Sequence, residues 1–124
     1  MTKEEFFLKE FKCNPEEFNW KNNFSDLCYK YNDQFDIWWD KDKFNWQRDS
    51  LRLCHYCHKH FKKWWDPDKF NYLYCWVLTE YCSKHFKKWW NPDKFDWEKS
   101  HYLSEYCSQY KDIWEPEALL RKII

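Results

Sequence analysis

Large apolar side chains recur along this chain in one register. Leu27, Tyr31, Phe35 and Trp38 are followed by Leu53, Cys57, Phe61 and Trp64, then Leu78, Cys82, Phe86 and Trp89, and finally Leu103, Cys107 and Trp114. The internal offsets of i, i+4, i+8 and i+11 describe one stripe of an amphipathic helix, with charged residues filling the positions between. Each stretch is expected to be a helix of about four turns ending at its Trp, and Lys111 replaces Phe in the last. Ser25, Ser50 and Ser100 precede or open these stretches and are the expected N-caps.

Between the stretches lies a second pattern: Asn14-Pro15-Glu16-Glu17-Phe18, Asp40-Lys41-Asp42-Lys43-Phe44, Asp66-Pro67-Asp68-Lys69-Phe70, Asn91-Pro92-Asp93-Lys94-Phe95 and Glu115-Pro116-Glu117-Ala118-Leu119. The phenylalanines are 26, 26 and 25 residues apart, and the closing leucine follows after 24. Asn, Asp or Glu suits an N-cap, Pro the first helical position, and an acid the first turn, where the helix dipole favours negative charge. The residue before each cap is Trp39, Trp65, Trp90 or Trp114, with Cys13 in the first unit. Paired with the residue four after the cap, it forms a hydrophobic staple that sets the entry angle of the chain. Each signature is therefore expected to open a short helix.

A fixed period in this range marks a repeat protein, whose units bury their apolar faces against their neighbours. The expected fold is all-α: a short α-solenoid of about four helical-hairpin repeats of 25–26 residues, stacked with a right-handed turn. Its parts are an N-terminal lid helix (1–13), repeats 14–39, 40–65, 66–90 and 91–114, and a truncated C-terminal cap helix (115–124), all in one domain. Thr2-Lys3-Glu4-Glu5 offers the lid a capping box, and Phe7, Leu8 and Phe11 its apolar side. The unit resembles tetratricopeptide and HEAT-type helical hairpins in general plan only. It is shorter than either and lacks their residue signatures, so no residue role is carried over.

Composition adjusts this picture in three ways. Trp, Tyr and Phe number 11, 9 and 11, a quarter of the 124 residues, and make up for the scarcity of aliphatic side chains in the core. The 21 basic and 21 acidic residues cancel, so nothing global favours nucleic acid, an anionic membrane or an acidic ligand. Seven cysteines cannot all pair, and Cys57, Cys82 and Cys107 keep the repeat spacing, which points to buried free thiols in a reducing compartment. There is no long apolar run and no leader pattern at the N-terminus, so a cytoplasmic protein, of its source cell or of an infected host, is expected. Gly is absent and Arg is rare beside Lys, a bias toward AT-rich codons that suits a phage or mobile element.

Two chemical candidates stand out. Cys57-x2-His60 and Cys82-x2-His85 place a thiol and an imidazole one turn apart in successive units, the right donors for a tetrahedral structural zinc. Tyr31 with Gln34, and Cys107 with Tyr110, hold the same places elsewhere, so a half-buried packing role is the simpler reading. Lys59, Lys62 and Lys63 recur as Lys84, Lys87 and Lys88, a basic ladder interleaved with aromatics that could follow a single nucleic-acid strand. The acids Asp66, Asp68 and Asp93 follow closely and oppose phosphate. Asp40-x-Asp42 and Asp66-x-Asp68 lack the glycine and distal Glu of a calcium loop. No nucleophile, base and orienting group can be singled out, so no enzyme and no cofactor is expected. What remains is a protein-binding repeat module, in a specific form a small inhibitor or adaptor that occupies a host protein's surface. Leu120, Ile123 and Ile124, on a terminal helix lacking its usual neighbour, join the lysines as candidate contacts, with a homodimer through that helix a further expectation.

Overall fold

The computed structural model describes residues 1–121, so Ile123 and Ile124 lie outside the described residues. Those described are helical or irregular, without a strand, and form two compact units, Met1–Trp64 and Trp65–Ile124. The first contains α1 (Lys3–Phe11), α2 (Trp20–Lys30), α3 (Phe35–Trp38), α4 (Trp46–Cys57) and α5 (Phe61–Trp64). The second contains α6 (Cys75–Tyr81), α7 (Phe86–Trp89), α8 (His101–Tyr106) and α9 (Lys111–Leu120). The apolar stripe is the core in both. Leu27, Phe35, Trp38, Leu53, Cys57, Phe61 and Trp64 are buried in the first unit, and Leu78, Cys82, Phe86, Trp89, Leu103, Cys107 and Trp114 in the second.

The first four signatures do not open helices; each is one capped turn. Asp40 Oδ1 accepts from the N–H groups of Asp42 and Lys43, and the Phe44 N–H closes the turn on the Asp40 carbonyl at 3.1 Å. Asn91 does the same, and Asp66 Oδ1 accepts from the Asp68 N–H while the Phe70 N–H closes its turn on the Asp66 carbonyl. The turn stops because the residue after the Phe is a second cap. Asn19, Asn45, Asn71 and Asp96 have ψ between 83° and 101°, outside the helical region, and accept from Asn22, Arg48, Leu73 and Glu98 N–H respectively. These are the true N-caps of the following helices. Ser25 and Ser50 lie inside α2 and α4, Ser50 with its hydroxyl donating to the Trp46 carbonyl, and Ser100 makes no side-chain cap bond.

In the second, third and fourth signatures the staple is present, with ring centroids 5.4 Å apart for Trp39 and Phe44, 5.3 Å for Trp65 and Phe70, and 5.5 Å for Trp90 and Phe95, whereas in the fifth Trp114 and Leu119 lie within one helix and Leu119 is exposed. A second ring pins the turn from the far side. Trp20, Trp46 and Trp97 donate their indole N–H to the carbonyls of Pro15, Lys41 and Pro92.

The long helices are broken. At Tyr31, Cys57, Cys82 and Cys107 the backbone moves to φ near −120° and ψ near 27°, and a 3₁₀ turn precedes the last short helix. The carbonyl at each break is taken by the indole N–H seven residues on: Trp38 to Tyr31 at 2.7 Å, Trp64 to Cys57 and Trp89 to Cys82 at 2.8 Å, and Trp114 to Cys107 at 2.9 Å. A buried carbonyl left outside the helical ladder is thereby satisfied by the same side chain that fills the core.

The fourth segment departs from expectation. Trp114 occupies the place of Trp38, so Glu115 stands where Trp39 and Trp90 stand. In the earlier units that second Trp leaves the helix and stacks on the Phe four residues back, at 5.0 Å and 19° for both Phe35–Trp39 and Phe86–Trp90. Glu115 has no ring to stack, and Pro116 replaces the capping Asp or Asn. The helix therefore continues through Pro116 to Leu120 as α9, and the fifth signature opens nothing. Ala118 is buried, whereas Leu119 and Leu120 are 55% and 77% exposed. Arg121 ties down the end of α9, with its guanidinium 4.8 Å from the Trp97 ring and 2.7 Å from the Glu117 carboxylate.

The lid helix α1 behaves as expected at its start, where Thr2 Oγ1 accepts from the Glu5 N–H at 3.1 Å. Its buried residues are Phe6 and Phe7, and Leu8 points to solvent. The lid is held on the first unit by Lys3–Asp40 at 2.9 Å, by the Tyr31 hydroxyl donating to Glu10 at 3.0 Å, and by Phe6 edge-on to Tyr31.

Candidate binding surface

The sides of α2 and α4 opposite the stripe meet in an open groove of about 280 Å³ lined by Ser25, Asp26, Tyr29, Arg52 and Tyr56. Tyr29 is 62% exposed and meets Tyr56 edge to face at 5.3 Å. His55 stacks on Tyr56 at 4.3 Å. Beneath the groove Asp49 is only 2% exposed and receives Arg52 Nε at 3.1 Å, with Arg48 Nε at 3.8 Å. Burial raises the Asp49 carboxyl above its ordinary value despite both arginines, so that carboxyl sits in a poorly solvated place. Arg48 also donates to the Lys21 carbonyl at 2.7 Å, which fastens α4 to α2.

In the second unit α6 and α8 carry a comparable aromatic side. Trp76 and Tyr102 lie 5.6 Å apart, Tyr102 and Tyr106 stack at 6.1 Å, and His101 lies 4.3 Å from Tyr102. The Tyr106 hydroxyl donates to Glu80 at 3.4 Å. These rings are not legible in the sequence, because a tyrosine between stripe positions looks the same in composition whether it is covered or open. The one available signal was that Tyr29, Tyr56, Tyr102 and Tyr106 all fall outside the apolar register.

The residues singled out from the sequence are differently placed. Cys57 is buried and hydrogen-bonded to Cys28, whose thiol is pushed well up, first by burial and then by that bond. His60 lies flat on Phe35 at 4.7 Å and 6°, and its Nε2–H donates to the Asn32 carbonyl at 2.9 Å. Tyr110 lies on Phe86 with the same spacing and a 7° angle. The position thus uses a flat ring, which His and Tyr both provide. Cys82 is buried and His85 half-buried in the second unit. Among the described residues, no three His, Cys, Asp or Glu side chains are gathered as a metal would require.

Lys59, Lys62 and Lys63, and in the second unit Lys84, Lys87 and Lys88, are exposed. Lys63 bridges to Asp36 at 2.7 Å, and that bond holds the Asp36 carboxyl below its ordinary value. Leu120 is exposed at the end of α9. Six of the seven cysteines are buried and free. Burial lifts the Cys75 thiol to about 11 and the Cys107 thiol to about 12, which keeps them protonated and unreactive. No helix among the described residues is long and apolar enough to cross a membrane.

No protein-family model matches this sequence, and neither the curated proteins nor the solved structures contain a match.

Proposed function

We propose that the chain is a non-enzymatic protein-binding module, built as a short solenoid of about four helical-hairpin repeats, that engages its partner through the tyrosine-bearing sides of α2 with α4 and of α6 with α8. The observation that carries this reading is a pair of aromatic clusters outside the buried stripe, exposed Tyr29 with half-buried Tyr56, and half-buried Trp76 with half-buried Tyr102. Tyr and Trp offer large contact area at low conformational cost and are enriched in protein interfaces. The rest of the chain satisfies itself: among the described residues no buried side-chain nitrogen or oxygen lacks a hydrogen-bond partner. Recurrence of the same break, indole bond and staple in both units supports the repeat architecture. The small size and AT-leaning composition fit an inhibitor or adaptor that covers a host protein's surface in the cytoplasm.

Capture from a lysate with the immobilised chain tests the reading. The unaltered chain and a Lys62→Glu/Lys87→Glu variant are expected to retain one protein in stoichiometric amount, and a Tyr29→Ser/Tyr56→Ser/Tyr102→Ser variant is expected to lose it. The reverse pattern, with salt-sensitive binding of single-stranded nucleic acid lost in the lysine variant, overturns it in favour of the basic ladder.

A further inference from the structure

The aromatic side of α6 and α8 carries charge of one sign, whereas α2 and α4 carry both. Apart from His101, the charged residues of α6 and α8 are Glu80 and Glu105 alone. Both carboxylates converge on one phenol: the Tyr106 hydroxyl donates to Glu80 at 3.4 Å, and Glu105 lies against the same hydroxyl. A hydroxyl has a single proton and serves one carboxylate at a time. Burial, and then the two carboxylates, hold the Tyr106 phenol above its ordinary value. Among the described residues neither Glu80 nor Glu105 has an ion-pair partner, exposed Lys84 one turn beyond Glu80 included. Tyr106 stacks on Tyr102 at 6.1 Å and 14°, and Tyr102 lies 5.6 Å from Trp76, so three half-buried rings run in a row on this side.

We propose that the face of α6 and α8 is the docking site for an arginine side chain exposed on the protein partner; this rests on the protein-binding reading above and names the partner's chemistry at that surface. Charge complementarity selects the sign. Two carboxylates share the face and neither is neutralised by a cation of the chain's own, so a phosphate backbone or an acidic peptide is repelled and a cation attracted. The rings select the kind of cation. A guanidinium is planar and weakly hydrated, lies against aromatic surface, and has five N–H donors, enough for both carboxylates at once. A divalent metal ion would find two carboxylates and a phenol among apolar rings, short of the six or so hard oxygens that it takes.

Nuclear magnetic resonance on the full chain provides the test, with N-acetylarginine N-methylamide, its neutral isostere N-acetylcitrulline N-methylamide, and calcium chloride as probes. The arginine probe is expected to shift the Trp76 indole N–H and the Tyr102 and Tyr106 ring signals. The citrulline probe is expected to bind about tenfold more weakly, and calcium to leave these signals in place. Glu80→Gln/Glu105→Gln keeps the shape of both side chains and is expected to bring the arginine response down to that of citrulline. If that variant fails to fold, Glu105→Gln alone, at an exposed position, takes its place and is expected to weaken the response severalfold. No response to arginine, equal responses to arginine and citrulline, a response unchanged in the variant, or a response to calcium alone overturns the proposal. In the lysate capture the double glutamine variant is expected to lose the protein that the tyrosine variant loses. Its retention by the glutamine variant, with loss in the tyrosine variant, overturns the proposal and leaves the protein-binding reading standing. Retention by both overturns the two together.

Discussion

Trp64 does two jobs that a sequence pattern cannot separate. Its ring is buried in the core of the first unit, and its indole N–H satisfies the Cys57 carbonyl at the helix break. Trp64→Ala is expected to cost about 3–5 kcal/mol, and Trp64→Phe, which keeps most of the ring and loses the donor, about 1–3 kcal/mol, both from urea unfolding at constant slope. Equal losses for the two would deny the indole bond a role. A different kind of residue sits at Lys12, the one non-glycine with positive φ among the described residues (60°), where the lid helix ends in a left-handed cap. The Cβ strains that conformation, so Lys12→Gly is expected to raise stability by up to about 1 kcal/mol, visible as a higher melting temperature.

At the scale of the element, periodicity was informative about which residues face the core and silent about how the backbone runs between them. The offsets of Leu27, Tyr31, Phe35 and Trp38 fit a continuous helix and a broken one equally, since a 3₁₀ turn keeps the next Phe on the same side. The staple and the lid's cap were legible because they depend on short, fixed offsets. The second caps were not: Asn19, Asn45, Asn71 and Asp96 directly follow the Phe of a signature that itself has the pattern of a helix start, and Asn, Asp and Ser cap about equally well, so Ser25, Ser50 and Ser100 compete with them. Asn45→Ala is expected to cost about 1 kcal/mol and Ser50→Ala less than half of that, the opposite of the ranking the serine assignment implies. Differential scanning calorimetry of the two variants ranks them. The lid adds a pH dependence. Burial pushes the Asp40 carboxyl up, but the bond to Lys3 and the backbone donors of its own turn outweigh it, so the folded value lies below the ordinary 3.8. A lowered carboxyl contributes stability above its unfolded value that is lost as pH falls through the folded one. Docking of α1 is therefore expected to weaken below about pH 4, read from faster hydrogen exchange at Phe6 and Phe7, and Asp40→Asn should remove that acid step.

For the whole molecule, alkali is the more severe challenge. The half-buried Tyr72 and the buried Cys75 and Cys107 have folded values of about 12, 11 and 12 against ordinary values of 10.0, 9.0 and 9.0. Groups raised in this way support the folded state fully below their unfolded values and lose that support as pH climbs through the folded ones. Stability of the second unit is thus expected to fall steadily from about pH 9 to 12, with a shallower fall in Cys107→Ala than in the unaltered chain. Less of the site than of the fold could be read from the sequence. Lysine runs attract notice because charge is visible in composition, yet Lys63 is bonded to Asp36, and the Cys and His positions are occupied with packing. The tyrosines of α2, α4 and α8 gain meaning only when their helices are seen side by side. Hydroxyl-radical footprinting of the chain alone and with its captured protein partner measures that meaning most directly. Protection concentrated at Tyr29, Tyr56, Tyr102 and Tyr106 is the predicted result; protection at Lys62, Lys87 or Leu120 with those tyrosines still reactive would contradict the account.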